Sequence, residues 1–180
     1  MPATVSLPAL LEKGSDDRFR RLVYDLLTIA SRMTTVREHL GERMGISAPQ
    51  YSLLMAVGQF QGKHGVGVTA VAKVLHVSGA FVATESGKLA QAGLLAKRAN
   101  PKDGRAVLLS LTRASRNLIA RHSAEIRAVN DIFFGTMTPP MFAGASAAMG
   151  ALVHGSARAT AALHRPEVES ELVSWREAAE

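Results

Sequence analysis

Between Val68 and Leu111 the turn-forming residues fall so close together that the chain has room only for two short helices and a hairpin. Val68–Leu75 is a short apolar run with no helix breaker. His76, Val77 and Ser78 then form a tight turn. Ser78 can cap a second helix, about Gly79–Ala92, by accepting a hydrogen bond from a free N–H of its first turn. Val82, Ser86 and Leu89 share one face of that helix at helical spacing. Gly93 stands where a left-handed C-terminal cap belongs. Leu94–Arg98 reads as a short strand and Ala106–Leu111 as its return. The intervening Ala99–Arg105 holds Asn-Pro and Asp-Gly, both turn signals. Helix, tight turn, second helix and basic-tipped hairpin form a winged helix-turn-helix.

Helices flank this module on both sides. Ser15, followed by Asp16 and Asp17, starts one, because a capping hydroxyl and negative charge both suit a helix N-terminus. Phe19, Leu22, Val23, Leu26, Ala30 and Met33 recur along it, to about Leu40. Ser47 and Gln50 form a capping-box pair with Pro49 in the first turn, and Tyr51, Leu54, Met55 and Val57 carry that helix toward Gly62. Gly62, Gly65 and Gly67 read as a flexible connection. Thr112 can cap a long helix striped by Leu118, Ile119, His122, Ile126, Val129 and Phe133. Thr138 with Pro139 and Pro140 starts another, with Ala145, Met149, Leu152, Ser156, Ala159 and Leu163 on one face and Pro166 at its end. The expected fold is mainly α: a winged helix-turn-helix with a two-stranded β wing, flanked by N- and C-terminal dimerisation helices. The expected boundaries are 1–14 for an N-terminal arm, 15–45 for the first helix and 46–112 for the winged module. The C-terminal helices take 113–165 and an acidic tail 166–180. Apolar stripes that find no partner in the chain predict a homodimer.

Charge narrows the function. From Lys63 to Arg116 the chain has nine Lys or Arg against Glu85 and Asp103, whereas the remainder has twelve basic against thirteen acidic residues. Positive charge confined to one segment is the footprint of a polyanion partner, unless it is simply a solvated basic surface. The chain has no cysteine, which excludes disulfides, thiolate zinc sites and thiol redox switches. Met1–Lys13 lacks the pattern of a signal peptide, and no stretch approaches the roughly 20 apolar residues of a membrane span. A cytoplasmic location with no membrane association is expected.

The segment Gly67–Thr112 resembles the multiple antibiotic resistance regulator (MarR) family. Asp103-Gly104-Arg105 followed by a strand ending in Leu111-Thr112 carries the resemblance, together with the Gly93-Leu94-Leu95 turn and the order of the flanking helices. The resemblance implies a transcription regulator rather than an enzyme. It implies a dimer whose recognition helices enter successive major grooves of a pseudo-palindromic operator in double-stranded DNA, with the wings in the flanking minor grooves. The half-sites would then lie about 10 bp apart.

On that reading the recognition helix presents Ser78, Gly79, Ala80, Phe81, Ala83, Thr84, Gly87 and Lys88. Thr84 stands where the family often has Arg or Lys, so Phe81 and Ala83 on thymine methyls replace strong guanine readout; Phe81 can equally be packing. Lys88 would hold phosphate. Glu85, at a position usually apolar in the family, either pairs with a basic side chain or faces solvent. In the wing, Arg105 would enter the minor groove, held by Asp103, with a purely structural turn pair as the alternative, and Lys97, Arg98 and Lys102 would lie on phosphates. The resemblance also implies release by a small aromatic or phenolic acid. Met33, Arg37, His39, Tyr51, Met55 and His122 are the candidates to bind it, each with ordinary packing as the alternative. The six histidines show no metal-ligand spacing, so no metal and no cofactor are expected. A DNA-binding or architectural protein without small-molecule control is the alternative function.

Overall fold

A computed structural model describes residues 1–101 and 103–163, with the Arg105 side chain left out. Lys102 and the predicted acidic tail therefore lie outside the described residues. The described elements are a 3₁₀ turn at Pro8–Leu10 and six helices, α1 (Asp17–Arg43), α2 (Ala48–Phe60), α3 (Val68–Leu75), α4 (Gly79–Gln91), α5 (Arg113–Phe134) and α6 (Pro139–Ala162). Three strands, β1 (Val66–Gly67), β2 (Leu95–Asn100) and β3 (Asp103–Leu111), complete them. Two compact units result, Met1–Val129 and Asn130 onward.

The first unit is built on α2. Ser47 Oγ accepts from Gln50 N at 3.4 Å, and Gln50 Oε1 accepts from Ser47 N at 3.1 Å, completing the capping box. Leu53, Leu54 and Val57 of α2 are fully buried against Val71, Val82, Leu89 and Leu109. Each such side chain contributes about 1.5–3 kcal/mol by leaving water, so α2 is the spine on which the module assembles. Helix α1 runs past Leu40 because Gly41 lets the next turn close on it. A Cβ there would sit 2.8 Å from the Ile46 carbonyl oxygen, and Ile46 N donates back to Gly41 O at 2.9 Å.

The wing is a three-stranded sheet, not a two-stranded one. Its order is β1-β3-β2, with Val66 opposite Leu109 and Leu95 opposite Leu111, both ladders antiparallel. The Gly62–Gly67 connection is irregular only as far as Gly65. Val66 and Gly67 are then captured as an edge strand because Val66 buries against the same core as Leu109. Gln61 Oε1 accepts from Leu111 N at 2.8 Å, pinning the sheet to the end of α2. Thr112 caps α5, and its hydroxyl donates to the Gly93 carbonyl at 2.8 Å, which fixes the hairpin base to the end of α4.

The N-terminal arm is latched to the start of α1. Asp16 is buried and accepts from Thr4 N at 2.6 Å and from Thr4 Oγ1 at 2.7 Å, while Arg20 lies 2.7 Å from its other oxygen. The two Thr4 hydrogen bonds outweigh burial, and with the Arg20 charge they hold the Asp16 carboxyl below the usual carboxylate range. A carboxylate with a lowered pKa contributes its stability above its unfolded pKa and loses it as pH falls through the folded value. The arm should therefore stay latched at neutral pH and come free only in strong acid. Protection of the Thr4 amide from hydrogen exchange measures this, and protection lost near neutral pH would contradict it.

Apolar side chains remain open in both units. On α1, Leu22, Val23, Tyr24, Leu27 and Ile29 are exposed, Leu27 by 62%. In the second unit α6 buries none of its residues, and Met141, Phe142, Met149, Leu152 and Val153 are exposed. Thr138 caps α6 through a bond from Met141 N, with the prolines in its first turn. Among the described residues, no single helix is long and apolar enough to cross a membrane.

Candidate nucleic-acid interface

Helices α3 and α4 meet at 109°, inside the range of helix-turn-helix pairs. His76 makes the corner by taking a left-handed conformation, φ 54°, with its N–H bonded to the Ala72 carbonyl. Ser78 Oγ then accepts from Phe81 N at 3.1 Å and starts α4. Val82, Ser86 and Leu89 turn inward, fully buried or nearly so, which fixes the outward face. That face holds Ala80, Phe81, Ala83, Thr84 and Lys88, all exposed. Phe81 is 38% exposed, half packed and half available.

Glu85 does not face solvent. It is 8% exposed, with Oε1 2.7 Å from Lys88 Nζ and Oε2 accepting from Gln50 Nε2 at 3.1 Å. The Lys88 hydrogen bond outweighs burial and, with Gln50, holds the carboxyl below the usual carboxylate range. Gln50 was legible as a capping residue but not in this second role. The Glu85–Lys88 pair, three positions apart on one helix, carries its own sequence signal.

In the wing, Lys97 is exposed and stands opposite Leu109. Arg98 is also exposed, but its guanidinium donates to the His64 carbonyl of the α2–β1 connection. Asp103 opens β3, exposed and in register with Asn100 beyond an irregularity at Ala99. The backbone of Arg105 lies in β3.

The six ligand candidates fall in different places. Arg37 lines a groove of about 580 Å³ with Pro49, Ser52, His76, Val77 and Phe81. Tyr51 is buried, which pushes its phenol up, while the nearby Arg37 charge pulls the other way. Met33 and Met55 are half-buried. His39 and His122 instead converge with Arg43 on Glu125. The His39 Nε2 and Arg43 Nε atoms lie 3.2 Å from Oε1, and His122 Nδ1 lies 3.5 Å from Oε2. Burial would raise the Glu125 carboxyl, but these three partners outweigh it and hold it low. Glu125 was missed in the sequence, although it lies three residues after His122 on one helix.

Residues 44–106, the stretch from the end of α1 to the returning wing strand, match the profile of the MarR family. This winged module belongs to the MarR family. Solved structures share the fold over most of the chain. AbsC, a MarR family transcriptional regulator from Streptomyces coelicolor, superposes with a TM-score of 0.68 at 14% identity, over 77% of this chain and 94% of that one. CouR from Rhodococcus jostii, bound to p-coumaroyl-CoA, gives 0.65 at 17%, over 73% and 90%. MepR from S. aureus, in complex with DNA, gives 0.61 at 17%, over 73% and 95%. No curated protein matches the sequence. MarR family members are transcription regulators rather than enzymes.

Proposed function

We propose that this MarR-type chain is a homodimeric repressor that reads a pseudo-palindromic operator and leaves it when a small aromatic or phenolic acid binds. One observation carries the DNA reading: α4 presents Ala80, Phe81, Ala83 and Thr84 outward beside a wing rich in Lys and Arg, in a chain whose excess positive charge is confined to residues 63–116. Short apolar and hydroxyl side chains suit thymine methyls and phosphates, and the wing cations supply the charge. The open apolar side chains of α1, and separately of α6, supply surface for a second copy to cover.

The groove beside Arg37 supports the acid. Its guanidinium is exposed and can take a carboxylate in a two-pronged hydrogen bond, with Val77 and Phe81 as apolar walls. Because Phe81 also stands on α4, a bound acid and a docked operator would compete for the position of the same side chain. That differential contact is what lets a ligand shift the balance between DNA-competent and released states.

The test is a titration of the chain's own upstream DNA against random duplex, with and without a hydroxybenzoate. Preference for the upstream DNA, lost on adding the acid, is expected. Arg37→Ala should keep the DNA affinity and weaken the response to the acid about tenfold or more, the scale of a charge-assisted hydrogen bond. An affinity that no aromatic acid moves would favour a regulator without small-molecule control.

A further inference from the structure

We propose that Glu85 holds Lys88 back from the DNA backbone, so that the recognition helix docks without net charge. The inference rests on the DNA-binding reading above. Glu85 and Lys88 are the only ionisable residues of α4. Their separation of 2.7 Å makes a charge-assisted hydrogen bond. The carboxylate is not free to follow a moving lysine. Its second oxygen is tied to Gln50 Nε2, and the Gln50 Oε1 is already committed to the Ser47 N–H of the capping box.

The lysine is therefore anchored to a carboxylate that is itself fixed to the N-terminus of α2. The Glu85 side chain is 11% exposed against 57% for Lys88, so the acid is the buried member and the ammonium the one with a choice. Swinging Lys88 outward to a phosphate would strip a nearly buried carboxylate of its cation, and water cannot easily replace it there. Lys88 stays, and α4 releases few DNA counterions. The salt-dependent part of binding falls to the wing, and the choice of sequence falls to the short side chains at 80, 81, 83 and 84.

A double-mutant cycle of duplex binding against salt concentration tests this. In Glu85→Gln the neutral amide no longer anchors the ammonium, and Lys88 reaches phosphate. The slope of log affinity against log salt steepens by about 0.9 per docked helix. The advantage of the variant over the parent then widens about threefold per helix between roughly 200 and 50 mM salt. Lys88→Gln leaves the slope of the parent unchanged, and in the Glu85→Gln background it removes the gain. A parent slope that flattens by about 0.9 per helix in Lys88→Gln overturns the proposal. So does a Glu85→Gln gain that survives the loss of Lys88, since that gain would be mere relief of acidic repulsion. Lys88 is a surface residue, so its single variant stays informative even if Glu85→Gln folds poorly. In the free protein, the NMR titration midpoint of the Glu85 carboxyl should rise on Lys88→Gln. An unmoved midpoint overturns the pairing without DNA, whereas a parent with no affinity for duplex DNA overturns the regulator reading instead.

Discussion

Replacing Lys97, Lys102 and Arg105 together with alanine is expected to collapse duplex binding at low salt while leaving the chain folded. Each cation that neutralises a phosphate contributes about 0.9 to the salt slope. Three from each of two wings flatten it by about 5, so the penalty grows roughly a thousandfold between about 200 and 50 mM salt. Arg98 is spared in this variant because its guanidinium also donates to the His64 carbonyl, so its loss would disturb the α2–β1 connection as well as remove a charge. Lys97 stands exposed in β2, outside the core cluster. Anisotropy titrations at several salt concentrations, with circular dichroism as the folding control, measure the effect. A slope that barely changes would move the DNA contacts off the wing.

The second large effect is on stability. Leu109 is fully buried at the centre of the sheet, opposite Val66 on β1 and Lys97 on β2, and in the same cluster as Val57. Truncation empties a site bounded by a β-sheet and a helix, neither of which can collapse easily. Leu109→Ala should cost about 2–5 kcal/mol. For a chain of this size that lowers the melting temperature by roughly 5–15 °C. It should also loosen β1, which has two residues and pairs in the sheet with β3. Thermal unfolding measures the first effect, and hydrogen exchange at Val66 and Gly67 measures the second. A loss under about 1 kcal/mol would mean that the sheet does not pack on α2 as described.

The helix-turn-helix was readable because its signals are local. Ser47 with Gln50, Ser78, Gly93, Thr112 and Thr138 each cap or end a helix through residues at most five positions away. What the sequence hid depends on distant partners. Val66–Gly67 looks like a loop until Leu108–Leu109 arrive beside it. The sequence pattern carries the first helix to about Leu40, yet the helix continues to Arg43, and Gly41 serves the close approach of Ile46. The burial of Glu85 requires Gln50, 35 residues earlier. The Glu125 cluster joins α5 to His39 and Arg43, more than 80 residues before it. Of the ligand candidates, the sequence supplied residue types but no way to tell that His39 and His122 share a carboxylate while Arg37 faces a groove.

Hydroxyl-radical footprinting of the protein on its own upstream DNA tests the central claim most directly. Two recognition helices of one dimer should protect two windows on the same face of the duplex, centred about 10 bp apart, with flanking protection where the wings reach the minor groove. A single window, or even protection along the whole fragment, would contradict a dimeric winged reader of a two-part operator.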